Sequence, residues 1–549
     1  MQLSHLHQLP LGMQVLTLPR SNLRGVCRVV GLTASCASRL SHDGQQRRCL
    51  TIQQADQGRQ DRQRVVILGS GWAGYTVARQ LDSKKYQAVV VSPRSYFAFT
   101  PLLASTSVGT LEFRTALEPV RSRRSNVGFF QGWADAVDFK NGTVTIEEAI
   151  DDQNRGLKDE SGKEKSKEAK QVKKGKTFAL SYDKLVITVG CYSQTFNTPG
   201  IREHALFLKD VADARKIRNR ILACFEAAAL PTTSDEMRKV LLNFAVVGGG
   251  PTGIEFGAEL HDLMHEDLVR IYPELIPLAK ITVYDVSDKV LPMFDEKLAK
   301  YCMETFRREG IAIKTQHHVE GLRPGPPKDS GVDTKECAHD CFTLQLKEEG
   351  EVGVGMVVWS TGLMNNPFVA KALRQISVLP ENEVEVLEGG HDAVKAVQWE
   401  VKKDARSGSI MTDDRLRMRI QAQGDATDKS QAILKNVFAL GDCAILEGTT
   451  YPATAQVASQ KAMWLAKRLN KNDIEKSAGF SFKNLGVMAY IGSWNAVVQG
   501  GSGGNVSGRA AWILWRGAYL TKSVSIRNKI LIPMYWFLNW IFGRDISRF

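Results

Sequence analysis

Two glycine turns hold the first chemistry in this sequence. Val65-Val-Ile-Leu-Gly-Ser-Gly-Trp-Ala-Gly74 and Val246-Val-Gly-Gly-Gly-Pro-Thr-Gly-Ile-Glu255 each place three glycines in a G-x-G-x-x-G spacing behind an apolar run. In such a turn the first glycine makes the bend, the second lets the backbone approach a pyrophosphate, and the third lets the helix pack on the strand. The phosphates then rest on the helix N-terminus, where unpaired N–H groups and the dipole favour anions. Gly69, Gly71 and Gly74, with Ser70, Trp72 and Ala73 between them, fill the first motif; Gly248, Gly250 and Gly253, with Pro251 and Thr252, fill the second. Two dinucleotide sites in one chain imply two redox cofactors placed to exchange electrons, a bound flavin and a visiting nicotinamide. The residue closing the second strand of each unit tells them apart. In the second unit it is Asp285, a carboxylate that holds a ribose 2′-hydroxyl and repels a 2′-phosphate, so NADH is expected there. The first unit ends in Ser92-Pro93-Arg94, with no carboxylate; by elimination, and by its N-terminal place, it is assigned to non-covalent FAD.

These turns need strands and helices to hold them, and the flanking patterns supply both. Val65 to Leu68 reads as a strand, a helix follows to about Asp82, and Ala88 to Ser92 returns as a strand, the opening βαβ of a doubly wound sheet. Lys184 to Gly190 resumes that sheet. The second βαβ begins near Asn243, with strand Phe244 to Val247, a helix to about His265 and strand Ile281 to Asp285. Gly355 to Gly362 and Asn436 to Asp442 are predicted as buried strands ending at glycine turns. Three polar stretches interrupt this order. Residues 147–176, rich in Lys and Glu and poor in large apolar residues, are expected to be an exposed hairpin insertion or disorder; 321–350 and 380–432 are expected to be loop-rich insertions.

Composition sets the frame. With 549 residues, 43% hydrophobic and 24% charged, the chain is long enough for two or more core-bearing units and is that of an ordinary globular α/β protein. Residues 1–60 contain seven arginines, no lysine, no glutamate and only Asp43 and Asp56, so they supply +5 of the net +13. An Arg-rich, Ser-containing, acid-poor leader is the pattern of a mitochondrial transit peptide. No nucleic-acid partner is expected. Of nine cysteines, Cys27, Cys36 and Cys49 lie in the leader; the others form no disulfide framework and no CxxC, which suits a reducing compartment. Cys337-Ala-His-Asp-Cys341 lacks a second ligand pair and is expected to be a surface loop, so no metal is assigned.

Five ordered motifs carry a resemblance. Gly69-Ser-Gly-Trp-Ala-Gly74, Val91-Ser-Pro-Arg-Ser-Tyr-Phe97 with Phe99-Thr-Pro-Leu-Leu103, Gly248-Gly-Gly-Pro-Thr-Gly-Ile-Glu255, Ala439-Leu-Gly-Asp442 and Ala455-Gln-Val-Ala-Ser-Gln460 together resemble the type II NADH:quinone oxidoreductases, most closely the fungal mitochondrial alternative NADH dehydrogenases. The resemblance spans about 62–549. It implies FAD, NADH, ubiquinone, no proton pumping, peripheral attachment to the inner mitochondrial membrane and a homodimer. Residue by residue, Gly441 and Asp442 resemble a second flavin contact, with the Asp442 carboxylate on the ribityl–phosphate region. Thr100 and Pro101 match the segment lying against the isoalloxazine, Glu255 the acidic residue near the nicotinamide, and Thr361 and Gly362 the floor of that site. Ala455, Gln456 and Gln460 match the helix at the quinone tunnel. The four-residue spacing puts both amides on one helix face, where neutral donors hold a quinone carbonyl without charging an apolar pocket. Where that helix often has a His between the glutamines, this chain has Ser459, and the calcium-loop pattern of the calcium-regulated external branch is not visible.

The tail completes the arrangement. Its apolar core, Ile530 to Phe542, is too short to cross a bilayer, and Trp536, Trp540 and Tyr535 with flanking Lys522, Arg527, Lys529 and Arg544 suit amphipathic helices lying in the lipid interface. A buried helix or a dimer contact is the other reading of that tail. The expected order is a leader (1–60), a FAD-binding domain in two parts (61–240 and 376–480), an inserted NADH-binding domain (241–375) and a C-terminal membrane-anchoring and dimerisation region (481–549). A cleavable leader with no following stop-transfer helix favours the matrix side. Two rival functions stay open: a sulfide:quinone oxidoreductase using Cys191 and Cys443 at the flavin, and a flavoprotein acting as a redox-sensing partner.

Overall fold

The computed structural model describes residues 51–122, 126–149, 175–332, 341–373, 376, 379–380, 382–388, 398–423 and 430–547. The leader before residue 51 and most of the lysine-rich stretch at 147–176 lie outside the described residues. The chain divides at Gly58 into two units. What is described of the first is a short helix, Ile52–Gln57, capped by the Thr51 side chain accepting from the Gln54 N–H.

The larger unit, Arg59–Phe549, begins with β1 (Gln63–Leu68), turns into α1 (Trp72–Gln80) and returns as β2 (Tyr86–Ser92). Val65 through Leu68 are buried without alternation because β1 has a parallel neighbour on each side and helices or loops on both faces. Beyond β2 lies β3 (Gly128–Asp138), and beyond β1 lies β4 (Lys184–Ile187). The chain then leaves through β5 (Cys191–Ser193) for a second, five-stranded parallel sheet. Its centre is β6 (Asn243–Val247), followed by α2 (Pro251–Asp262) and β7 (Lys280–Tyr284), with β8 (Met356–Trp359) on the other side of β6. The short strand Leu206–Phe207 adds to the outer edge of β8. The chain comes back through β9 (Leu363–Asn365), which pairs antiparallel with β5, so outgoing and returning segments form one two-stranded ribbon. Finally β10 (Gln431–Ala439) joins β4 in parallel and completes the first sheet in the order β10-β4-β1-β2-β3.

Two of the stretches expected to be loop-rich also contain short strands among their described residues. In 321–350, Val319–Pro324 pairs antiparallel with Phe342–Leu346, which pairs antiparallel with Gly350–Val354. In 380–432, Val384–Glu388, Trp399–Val401, Ile410–Thr412 and Arg417–Ala422 extend the first sheet. The reason is a short period-two alternation: Met418 and Ile420 point inward beside Ala432 and Leu434, while polar residues between them mask the pattern in a composition count. Cys341, expected in a surface loop, is fully buried at the head of Phe342–Leu346 and is disulfide-bonded.

After β10 come α3 (Ala455–Lys471), which packs on α1, a three-stranded meander (Val487–Gly492, Asn495–Gln499, Asn505–Gly508), and the terminal helices α4 (Arg509–Lys522) and α5 (Ile526–Phe542). Among the described residues no helix is long and apolar enough to cross a membrane. Helix α5 is amphipathic in an unusual sense. Its two asparagines face the protein: Asn528 donates to Leu117 O and Glu118 Oε1, and Asn539 to the carbonyls of Gly109 and Thr110. Ile532 packs into the core, while another part of its apolar surface faces outward, with Ile530 63%, Phe537 57% and Trp540 69% exposed.

Candidate active site

Each glycine turn has the geometry its sequence implied. Gly69 and Gly248 have φ of +110° and +115°, the left-handed region where a side chain is strained. A Cβ on Gly74 would lie 2.0 Å from the Gly69 carbonyl oxygen, and one on Gly253 2.0 Å from that of Gly248, so each third glycine exists for helix–strand contact. A Cβ on Gly71 or Gly250 would meet no protein atom within 4 Å. Those middle glycines therefore present bare backbone at the N-termini of α1 and α2, a cradle suited to a pyrophosphate.

Around the first turn a groove of about 400 Å³ brings together Gly69, Ser70, Gly71, Trp72, Ala73, Ser92, Pro93, Arg94, Thr100, Gly441, Asp442 and Ala455. Thr252, from the second turn, also reaches it. Pro101 follows Thr100 in a short helical turn, Thr100–Leu102. The Ser70 hydroxyl donates to the Tyr96 carbonyl (2.9 Å) and lies 3.0 Å from the Ser92 hydroxyl, tying the turn to the end of β2. The Trp72 indole donates to Thr100 Oγ1 at 3.0 Å. Ser92 stands where the second unit has Asp285, and Arg94, two residues on, forms an ion pair with Asp210 at 2.7 Å. Asp442 follows Gly441 at the end of β10.

The second turn gathers Gly248, Gly250, Pro251, Thr252, Gly253, Thr361 and Asp285 at the C-terminal ends of β6, β7 and β8. Asp285 is half-buried; one carboxylate oxygen accepts from the Gly249 N–H and the other from the Ser287 N–H, which fixes the side chain over the turn. Gly362 closes against the Gln194–Phe196 segment beside the ribbon: a Cβ there would lie 2.8 Å from the Gln194 side chain.

Glu255, one turn into α2, is buried, and Oε1 accepts from the Tyr490 backbone N–H and the Trp515 indole, both at 3.2 Å. Burial pushes its carboxyl up to about 8, against the pull of those two donors and with a contribution from neighbouring Glu259. At neutral pH it is largely a neutral acid, able to give a proton. The two glutamines do share one face of α3, and there they hold the chain segment 483–486. Gln456 accepts from Leu485 N–H and donates to Gly486 O; Gln460 accepts from and donates to the Lys483 backbone.

Several residues escaped the sequence reading. An aromatic series runs from the groove to Glu255: Trp72 against Phe99 (5.2 Å between ring centroids), Phe99 against Tyr519 (6.2 Å), Tyr519 against Trp515 (5.1 Å) and Trp515 against Tyr490 (5.4 Å). Trp515 and Tyr519 stand one turn apart on α4, the only signal the sequence offered for them. Lys461, on α3 and 3% exposed, is pulled down to about 8 by burial, against the opposing pull of Cys443 and Asp442. The two cysteines raised as a sulfide-oxidising pair are both free thiols. Cys443 is fully buried and its thiol is pushed up to about 12; Cys191 is pushed up to about 11. Neither supplies a thiolate nucleophile at neutral pH.

Residues 63–398 match the family model described as pyridine nucleotide-disulphide oxidoreductase, and residues 484–545 match an NDH2 C-terminal domain. A "Probable NADH dehydrogenase" of Dictyostelium discoideum is 37% identical over 89% of this chain and 92% of its own length. An external alternative NAD(P)H-ubiquinone oxidoreductase B1, mitochondrial, of Solanum tuberosum is 33% identical over 90% of this chain and 92% of that protein. Among solved structures, NDH2 from Plasmodium falciparum in complex with NADH superposes with a TM-score of 0.68 at 22% identity, over 88% of this chain and 100% of that one.

Proposed function

This chain belongs to the pyridine nucleotide-disulphide oxidoreductases and, within them, to the type II NADH dehydrogenases, and from that premise we propose how its residues divide the work of oxidising NADH and reducing ubiquinone. Bound FAD supplies the two-electron chemistry, accepting hydride from NADH and passing the electron pair to the quinone. The groove around Gly69–Gly74 with Asp442 fits FAD, because the Gly71 backbone is bare while Ser70, Ser92, Arg94 and Asp442 offer polar groups on walls that are otherwise largely apolar. The Gly248–Gly253 turn holds the NADH pyrophosphate, and Asp285 takes the adenosine ribose hydroxyls and disfavours a 2′-phosphate. Trp72, Phe99, Trp515 and Tyr519 wall an apolar passage that keeps water from the reacting rings. Glu255, protonated in its buried site, hands a proton to the reduced quinone oxygen, and Gln456 and Gln460 shape the passage wall through the 483–486 segment.

The observation that carries this reading is the pairing of two identical turn geometries with Thr252 of the second reaching the groove of the first. Anaerobic stopped-flow tests it: NADH should bleach the flavin of the purified protein, and ubiquinone should restore the colour. If NADH leaves the flavin oxidised the enzyme reading fails; bleaching without recovery by quinone would instead support a redox-sensing role.

For the membrane, we propose that the outward apolar face of α5, with Ile513 and Leu514 of α4, sits in the lipid interface of the inner mitochondrial membrane, peripherally and on the matrix side, in a homodimer. The plant relative is named external, so the face is decided by protease access to intact and ruptured mitoplasts. Light scattering of the detergent-solubilised protein tests the dimer.

A further inference from the structure

Two charged groups converge on the thiol of Cys191. Its thiol donates to Asp442 Oδ2 at 3.0 Å, and the Lys209 ammonium lies 3.0 Å from both the sulfur and the carbonyl oxygen of the same cysteine. All three residues line the groove of the first glycine turn. Each is held by its backbone. Cys191 is paired with Asn365 in the ribbon β5–β9; Lys209 donates its N–H to Asp213, a member of the capping box that starts helix Val211–Ala229; Asp442 follows the left-handed Gly441, φ +84°. Three elements thus meet at one sulfur.

We propose that Cys191 is a positioning residue for the flavin: its thiol relays between the Lys209 ammonium and the Asp442 carboxylate, so that both charges address the groove instead of collapsing onto each other as a direct ion pair. The inference rests on the flavin assignment of this groove. A thiol has one hydrogen, which Cys191 donates to Asp442, and lone pairs that accept from Lys209. The raised thiol keeps that hydrogen in place at working pH. Among the described residues no donor bonds Asp442 Oδ1, which stays available to the ribityl hydroxyls the family assigns to this carboxylate. Without the sulfur, the flexible lysine would swing onto the carboxylate, satisfy its free oxygen and withdraw a positive charge from the groove.

The test compares FAD release from diluted holoenzyme and the flavin midpoint potential in the wild type, Cys191→Ala, Cys191→Ser, Lys209→Met and the Cys191→Ala/Lys209→Met double variant. We expect Cys191→Ala to raise the FAD dissociation constant about five- to tenfold, the size of one ordinary hydrogen bond, and to shift the potential. Cys191→Ser, which restores a donor and acceptor, should stay within about twofold of the wild type. The double variant should be no worse than the poorer single one, because both break the same relay. Wild-type FAD retention and potential in Cys191→Ala, or additive losses in the double variant, overturn the proposal. If Cys191→Ala does not fold, Cys191→Ser and Lys209→Met decide it: a loss in the lysine variant with retention in the serine variant supports the relay, and equal behaviour overturns it. A wild-type protein that carries no FAD at all would instead remove the cofactor reading beneath it.

Discussion

At the scale of single residues the glycines make the sharpest contrast. Ala at 250 has room and an ordinary backbone, so Gly250→Ala should leave thermal stability within about 0.5 kcal/mol of the wild type while raising the NADH KM at least tenfold, since the new methyl stands where the proposed binding mode lays the pyrophosphate. Ala at 253 drives a methyl into the Gly248 carbonyl, so Gly253→Ala should lower stability by about 1–3 kcal/mol as well as weaken NADH binding. Unfolding curves and steady-state kinetics on the two variants check both statements. Glu255 adds a pH dependence. Its folded carboxyl titrates near 8 against an ordinary value near 4.5, so the unfolded chain loses this proton first as pH rises. Stability is therefore full below about 4.5 and is lost progressively up to about 8, at roughly 1.4 kcal/mol per pH unit for the one proton. Glu255→Gln removes the titration and should flatten the melting temperature between pH 5 and 8 relative to the wild type. Equal slopes would mean that Glu255 is ionised in the fold. The glycines and Asp285 were legible because each answers a local need of a turn. The Lys209–Cys191–Asp442 cluster was not, because its members come from three distant segments that only the fold brings together.

At the scale of elements, what could be read depended on the length of the hydrophobic pattern. β1, β6 and β8 are continuous apolar runs shielded on both faces, and their identity followed from composition alone. The strands Arg417–Ala422 and Phe342–Leu346 are short, with alternating polar residues, and in sequence they resemble loop. Helix α3 shows a second limit. The spacing of Gln456 and Gln460 puts them correctly on one face, yet spacing cannot say what that face meets, and it meets the backbone of 483–486. That docking makes a prediction about the element rather than the amide. Gln460→Ala removes two backbone hydrogen bonds, so it should lower stability by about 1–2 kcal/mol and raise the quinone KM through the displaced wall, while the rate at which NADH bleaches the flavin stays unchanged. A slowed bleaching step would show that α3 acts on the NADH half instead.

At the scale of the whole molecule the problem is delivery. A quinone with an isoprenoid tail partitions into lipid, whereas NADH arrives from water, so the two must approach from different sides of the protein. With NADH on the second glycine turn as proposed, α2 addresses both, since it starts at that turn and places Glu255 against Tyr490 and Trp515 of the C-terminal region. α5 is anchored inward by Asn528 and Asn539 and exposes Ile530, Phe537 and Trp540, so its apolar face is left for something other than the protein's own core. If that something is lipid, Phe537→Asp/Trp540→Asp should leave folding intact, because both positions are more than half exposed. The double variant should move from the vesicle-bound to the free fraction in flotation with anionic liposomes. Its turnover with a water-soluble, short-chain quinone should match the wild type, and its turnover with a long-chain quinone embedded in vesicles should fall at least tenfold. Equal loss with both quinones would place the damage in the passage rather than at the membrane. Retained vesicle binding would mean that this face meets a second copy of the chain, and a change of mass by light scattering would then accompany the substitutions.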